Sequence, residues 1–172
     1  WINLVTDSLP ALALGVDPPE EGIMDRKPKN SNGGIFDRDI ITRIIYQGAM
    51  VGLLALIAFI IGYRVNLVTG RTMSFAVLAL SQLIHTFNVR SNTKSVFKIG
   101  LLTNTKLLWA LALSATLQIL VITIPSLAGI FKVSTLDSGH WLIVGILSIA
   151  PLFIVELVKF FVYKVSEKGR TL

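Results

Sequence analysis

IIYQGAMVGLLALIAFIIGY, residues Ile44–Tyr63, decides the fold class, because it is 20 consecutive residues without a charge. A helix needs about 20 apolar residues to cross the hydrocarbon core of a bilayer. The apolar side chains form a continuous block with neither helical nor strand period, which points to a membrane segment and not to one face of a soluble element. Helix is the expected form, since a helix satisfies its own backbone in lipid.

Working outward, three more uncharged runs follow: Thr72–Val89, Leu107–Phe131 and Ser138–Val155, the last continuing past Glu156 towards Phe161. A shorter apolar stretch, Leu9–Val16, precedes them. The expected fold is all-α, a polytopic membrane bundle of five transmembrane helices with the first truncated. Its segments read as a partial helix over 1–16 and transmembrane helices over 41–63, 71–89, 107–131 and 138–163. A polar loop fills 17–40, a connector fills 90–106 and a tail fills 164–172. Pro18-Pro19, Gly33-Gly34 and interspersed Asn make the long loop a series of turns. Pro125 and Pro151 are expected as helix kinks or ends.

Composition agrees. Of 172 residues, 53% are hydrophobic and 15% charged, against roughly a quarter charged in a soluble domain. Mean hydropathy is +0.71. There is no cysteine, which removes disulfides and thiolate metal sites. The net charge of +6 does not indicate nucleic acid, because the positive residues sit in short segments between apolar runs. Thirteen of the 16 Lys and Arg fall in the 17–43, 90–106 and 159–170 segments, and three (Arg64, Arg71, Lys132) fall opposite. The positive-inside rule places the long loop and the carboxyl terminus in the cytosol. The opening Trp1-Ile2-Asn3 has no Met and no basic region, so no signal peptide is expected and Trp1 reads as a cut end.

The residues that carry chemistry are in the first segment. Asn3, Thr6 and Asp7 are spaced i, i+3, i+4 and share one face of a helix. A carboxylate at membrane depth costs about 2.5–3.5 kcal/mol on insertion scales, so it usually has a partner or a purpose. Pro10 has no N–H to offer the Thr6 carbonyl, and broken helices at this depth expose backbone oxygens to cations. Amide, hydroxyl, carboxylate and carbonyl oxygens together suit Ca²⁺, Mg²⁺, Na⁺ or protons. Asp7 also fits as an N-cap of a helix starting at Ser8, and spacing alone leaves both roles open.

Asn3-Leu4-Val5-Thr6-Asp7-Ser8-Leu9-Pro10-Ala11-Leu12-Ala13-Leu14-Gly15 resembles the sixth transmembrane helix of the calcium-pump branch of P-type ATPases. Asp17-Pro18-Pro19-Glu20-Glu21-Gly22-Ile23-Met24 with Arg26-Lys27-Pro28 is similar to that family's following cytosolic loop. The four later helices agree in number and spacing but are less diagnostic. The resemblance implies that Asn3, Thr6 and Asp7 coordinate Ca²⁺ as the transported ion, with Asp7 the principal charged ligand. It makes Gln82 a further metal ligand, at a position where two-calcium pumps carry glutamate, and so implies one Ca²⁺ per cycle. Gln82 lies with Ser81, His85 and Asn88 in an apolar helix, and hydrogen bonding between helices, worth about 0.6 kcal/mol, is the plainer role.

The resemblance also implies an enzyme whose phosphorylated aspartate, ATP and Mg²⁺ belong to other parts of the pump. No Asp-Lys-Thr-Gly and no Walker-type loop occurs here, so no catalytic residue is expected in this chain and its isolated Ca²⁺ affinity is expected to be negligible. Expected partners are the lipid bilayer, the remaining membrane helices, and a phosphorylation domain facing loop 17–40, with no nucleic acid. The plasma membrane is favoured over an internal one. A P-type pump for Na⁺, K⁺, H⁺, Mg²⁺ or Mn²⁺, and a polytopic scaffold or carrier, are the alternatives. Two smaller expectations concern packing: Gly48-Ala49-Met50-Val51-Gly52 as a small-xxx-small surface, and Glu156 with Lys159 as an ion pair.

Overall fold

In the computed structural model, residues 6–17, 38–91 and 95–168 are described, with side chains described as far as Phe161 and excepting Asp39. Asn3 and the 18–37 part of the long loop lie outside these residues. Among the described residues the chain is helical throughout: α1 (Ser8–Leu14), α2 (Arg38–Tyr63), α3 (Leu67–Val89), α4 (Val96–Ile99), α5 (Thr105–Thr123), α6 (Pro125–Phe131) and α7 (Ser138–Lys168). Four helical stretches are long and apolar enough to cross a membrane: Ile40–Tyr63, Leu67–Val89, Thr105–Thr123 and Ser138–Phe161.

Helix α3 is the centre of the bundle. Its Met73, Ala76 and Val77 pack with Leu54 and Ala58 of α2, Ile122 of α5 and Val144 of α7. Towards its other end, Leu83 packs with Ala13 of α1 and with Leu107 and Leu111 of α5. Helix α1 therefore sits against both α3 and α5.

Helices α2 and α3 form a tight hairpin. The Val65 and Asn66 amides donate to the Gly62 carbonyl at 3.0 and 3.3 Å. The Asn66 side chain then caps α3 by accepting from the Thr69 amide at 2.8 Å. The hairpin closes because two glycines meet. A Cβ on Gly62 would lie 2.8 Å from the Gly70 Cα, and one on Gly70 would lie 2.9 Å from the Phe59 carbonyl oxygen. The small-residue contact is thus Gly62 with Gly70, whereas a Cβ on Gly48 or Gly52 would meet nothing within 4 Å.

The single span expected over Leu107–Phe131 is two helices. Ile124 turns to extended backbone (φ −83°, ψ 117°), and Pro125 starts α6 at the position where its missing N–H costs nothing. Lys132 ends α6 in the left-handed region (φ 54°). Pro151, by contrast, stays inside α7.

Candidate cation site

Asp7 directly precedes α1. Its backbone is helical (φ −94°, ψ −31°) and its side chain makes no capping hydrogen bond. The carboxylate instead lines a cavity of about 200 Å³ with Pro10, Ala11 and Leu14 of α1 and Gln82 and Thr86 of α3. Two residues singled out from the sequence, 75 positions apart, thus share one cavity.

The proline explains how α1 reaches this position. Pro10 cannot donate to the Thr6 carbonyl, whereas the next amide, that of Ala11, donates to the Asp7 carbonyl at 3.0 Å. Thr6 itself is fully buried.

On the α3 side, the Gln82 Oε1 is buried and has no hydrogen-bond partner among the described residues. Such an atom is costly unless something supplies a donor or a cation. Thr86 adds a hydroxyl that donates to the Gln82 carbonyl at 3.1 Å, so its oxygen is held close to the backbone. Thr86 was not singled out in the sequence; its place four residues after Gln82 was the available signal. No cluster of three His, Asp or Glu converges among the described residues. The site therefore offers one carboxylate and neutral oxygens.

The neighbours of Gln82 on α3 do other work. His85 Nε2 lies 3.3 Å from the Gln47 Oε1 on α2. Asn88 donates through Nδ2 to the Pro151 carbonyl of α7 at 3.1 Å and lies 3.2 Å from the His85 Nδ1. Glu156 and Lys159 form the expected ion pair at 3.1 Å, each side chain about 11% exposed. Lys159 also donates to the Asn88 carbonyl at 3.2 Å, and the Val96 amide donates to Glu156 at 3.2 Å.

A second polar cluster closes the end of the cavity helices and was not foreseen. In the sequence Asp17 opens the polar loop and Arg90 is one of the thirteen positive charges assigned to one side. They form a two-pronged ion pair: Arg90 Nε to Asp17 Oδ2 at 2.8 Å and Nη2 to Oδ1 at 3.0 Å. The side chains are only 3% and 16% exposed. Arg90 also donates to the Gly100 carbonyl at 2.9 Å and to the Thr103 hydroxyl at 2.8 Å. Asn104 donates to the Ala13 carbonyl at 3.1 Å and to Asp17 Oδ1 at 3.0 Å, while its own oxygen caps α5 through the Leu107 amide at 2.9 Å. Gly100 reaches this network with φ +90°, a conformation that glycine adopts readily.

Comparison with known proteins gives the context for this geometry. Residues 1–161 match the family model described as "Cation transporting ATPase, C-terminus". The chain is 41% identical to "Calcium-transporting ATPase 1" of Bacillus cereus, over 92% of this chain and 20% of that protein. It is 41% identical to a "Calcium-transporting ATPase" of Bacillus subtilis, over 90% of this chain and 18% of the other. It is 30% identical to human "Calcium-transporting ATPase type 2C member 1", over 92% of this chain and 18% of the other. The chain spans about a fifth of the length of these curated relatives. With the match covering α1 through nearly all of the described side chains of α7, the chain belongs to the carboxyl-terminal membrane region of the P-type cation-transporting ATPases.

Proposed function

We propose that this chain is part of the transmembrane translocation domain of an ATP-driven calcium pump and supplies Asn3, Thr6, Asp7 and Gln82 to one Ca²⁺ site. The shared cavity of Asp7 and Gln82 is the observation that carries this proposal. Ca²⁺ takes six to eight hard oxygens at about 2.3–2.6 Å. A carboxylate, an amide oxygen without a partner and the hydroxyl of Thr6 are part of such a shell, and the remaining walls come from other helices of the pump. Because Asp7 is the one charged residue lining the cavity among the described residues, one ion per cycle fits better than two. Calcium as the cargo is supported by the printed names of the relatives.

In this proposal α1 is part of a fifth transmembrane helix, of which this chain holds a portion. Loop 17–40 and the carboxyl terminus face the cytosol, as the distribution of Lys and Arg suggests. The loop then meets the phosphorylation domain, where ATP and Mg²⁺ act, and the pump resides in the plasma membrane.

The test is Asp7→Asn in the full-length pump. Ca²⁺-dependent phosphorylation from ATP is expected to disappear, while phosphorylation from inorganic phosphate, which needs no bound Ca²⁺, persists. Undiminished Ca²⁺ dependence would remove Asp7 from the site. A wild-type pump stimulated by a different cation would change the cargo.

A further inference from the structure

The cavity has a wall from α1 and a wall from α3, and a polar joint links the two helices beyond one end of it. That joint is Arg90 with Asp17, reinforced by Asn104. Asp17 is continuous with α1, since its amide donates to the Leu14 carbonyl at 3.0 Å. Arg90 caps α3. It lies eight residues beyond Gln82, about 12 Å along the axis at 1.5 Å per residue, so neither it nor Asp17 touches the cavity.

Resting on the calcium-pump reading above, we propose that Asp17 and Arg90 are positioning residues: their ion pair sets the spacing of α1 from α3 and thereby the cation affinity, without contact to the ion. Three features support this. The pair is two-pronged, which fixes orientation as well as distance. It is shielded from water, so salt does not loosen it as it would a surface pair. Asn104 holds both Asp17 and the Ala13 carbonyl of the last turn of α1, so α5 braces the same joint. A site held in place before the ion arrives spends less of its binding free energy on ordering its own walls. Freed at this end, α1 must be brought back to α3 each time a cation binds.

The experiment compares Asp17→Asn, Arg90→Lys, Arg90→Gln and Asp17→Asn/Arg90→Gln in the full-length pump. Two quantities are read: the Ca²⁺ concentration for half-maximal phosphorylation from ATP, and the phosphoenzyme level formed from inorganic phosphate without Ca²⁺. Arg90→Gln is expected to raise the half-saturating Ca²⁺ concentration about 10- to 100-fold, in the range seen when residues behind metal ligands are lost. The phosphate-derived level stays near wild type. Arg90→Lys, which keeps the charge but loses the fork, falls between, and the double variant is no worse than Arg90→Gln. Unchanged half-saturation in Arg90→Gln and Asp17→Asn would overturn the proposal. Loss of phosphate-derived phosphoenzyme in every variant would also overturn it, making the pair a requirement for folding only. A wild-type pump without Ca²⁺ dependence would instead defeat the calcium reading, and the same variants would be titrated with the cation that does stimulate it.

Discussion

The two faces of α3 are built to opposite rules. Towards α2 and α7 the helix is closed: Met73, Ala76 and Val77 are fully buried, and His85 and the Asn88 amide nitrogen find partners on neighbouring helices. Towards α1, at the level of Gln82 and Thr86, it borders a cavity and leaves the Gln82 Oε1 without a partner among the described residues. Gln82 and His85 are only three positions apart in an otherwise apolar stretch. A polar residue inside a membrane helix is therefore informative through what its atoms touch. Those on the closed face join helices, although the Asn88 Oδ1 there also has no partner among the described residues; Gln82 differs in that it borders a cavity.

The largest effect should come from the closed face, where backbones meet. Gly70→Ala places a methyl group 2.9 Å from the Phe59 carbonyl oxygen, and backbone cannot yield as a side-chain tip would. We expect a loss of about 3 kcal/mol, the upper end for overpacking, seen as earlier thermal aggregation of the detergent-solubilised pump. Wild-type stability would mean that α2 and α3 separate easily.

Gln82→Ala sharpens the open face. It should raise the half-saturating Ca²⁺ concentration by about tenfold, less damaging than Asp7→Asn, with thermal stability little changed. An effect equal to that of Asp7→Asn would contradict a single site centred on Asp7. Asn88→Leu is the matching change on the closed face. It should lower stability by about 1 kcal/mol in a heat-inactivation series and leave the Ca²⁺ titration where it was. If Asn88→Leu shifted Ca²⁺ affinity as much as Gln82→Ala, the distinction between the faces would collapse.

The smallest effect lies at the start of α7, beyond the closed face. The Asp137 carboxylate accepts from the His140 amide at 2.8 Å and also meets the His140 ring at 2.8 Å. The amide, the largest cause, together with the ring holds the carboxyl below its usual range. A depressed carboxyl stabilises the fold above its unfolded value, near 3.9, and loses that contribution as pH falls through the folded value. Asp137→Ala should therefore cost a little stability at neutral pH, and nothing relative to wild type in strong acid. Thermal scans at several pH values would show the two curves converging as pH is lowered.

Much of this was legible in the sequence, because lipid imposes so blunt a rule. Uncharged runs of sufficient length had to be helices, and four helices long and apolar enough to cross a membrane are present among the described residues. The break at Ile124 was signalled by Pro125, but the apolar run continues across it, so composition alone merged α5 and α6. The Gly48–Gly52 spacing is visible within one helix, and both glycines face open space among the described residues. The close contact of Gly62 with Gly70 joins two helices across a turn and has no such signature. For Asp7, spacing left a cap and an ion ligand equally open; the structure shows no capping bond and a cavity beside the residue. Asp17 and Arg90 looked like ordinary solvated charges because their meaning depends on a partner 73 residues away.

That separation has a consequence for how the protein is made. During synthesis Asp17 leaves the ribosome 73 residues ahead of Arg90. At about 5–20 residues per second, the ribosome needs roughly 4–15 s to supply it. For that interval Asp17 lacks the guanidinium that pairs with it. Docking of α1 against α3 must therefore wait for the glycine-joined hairpin of α2 and α3. A nascent chain halted before Arg90 should leave α1 undocked.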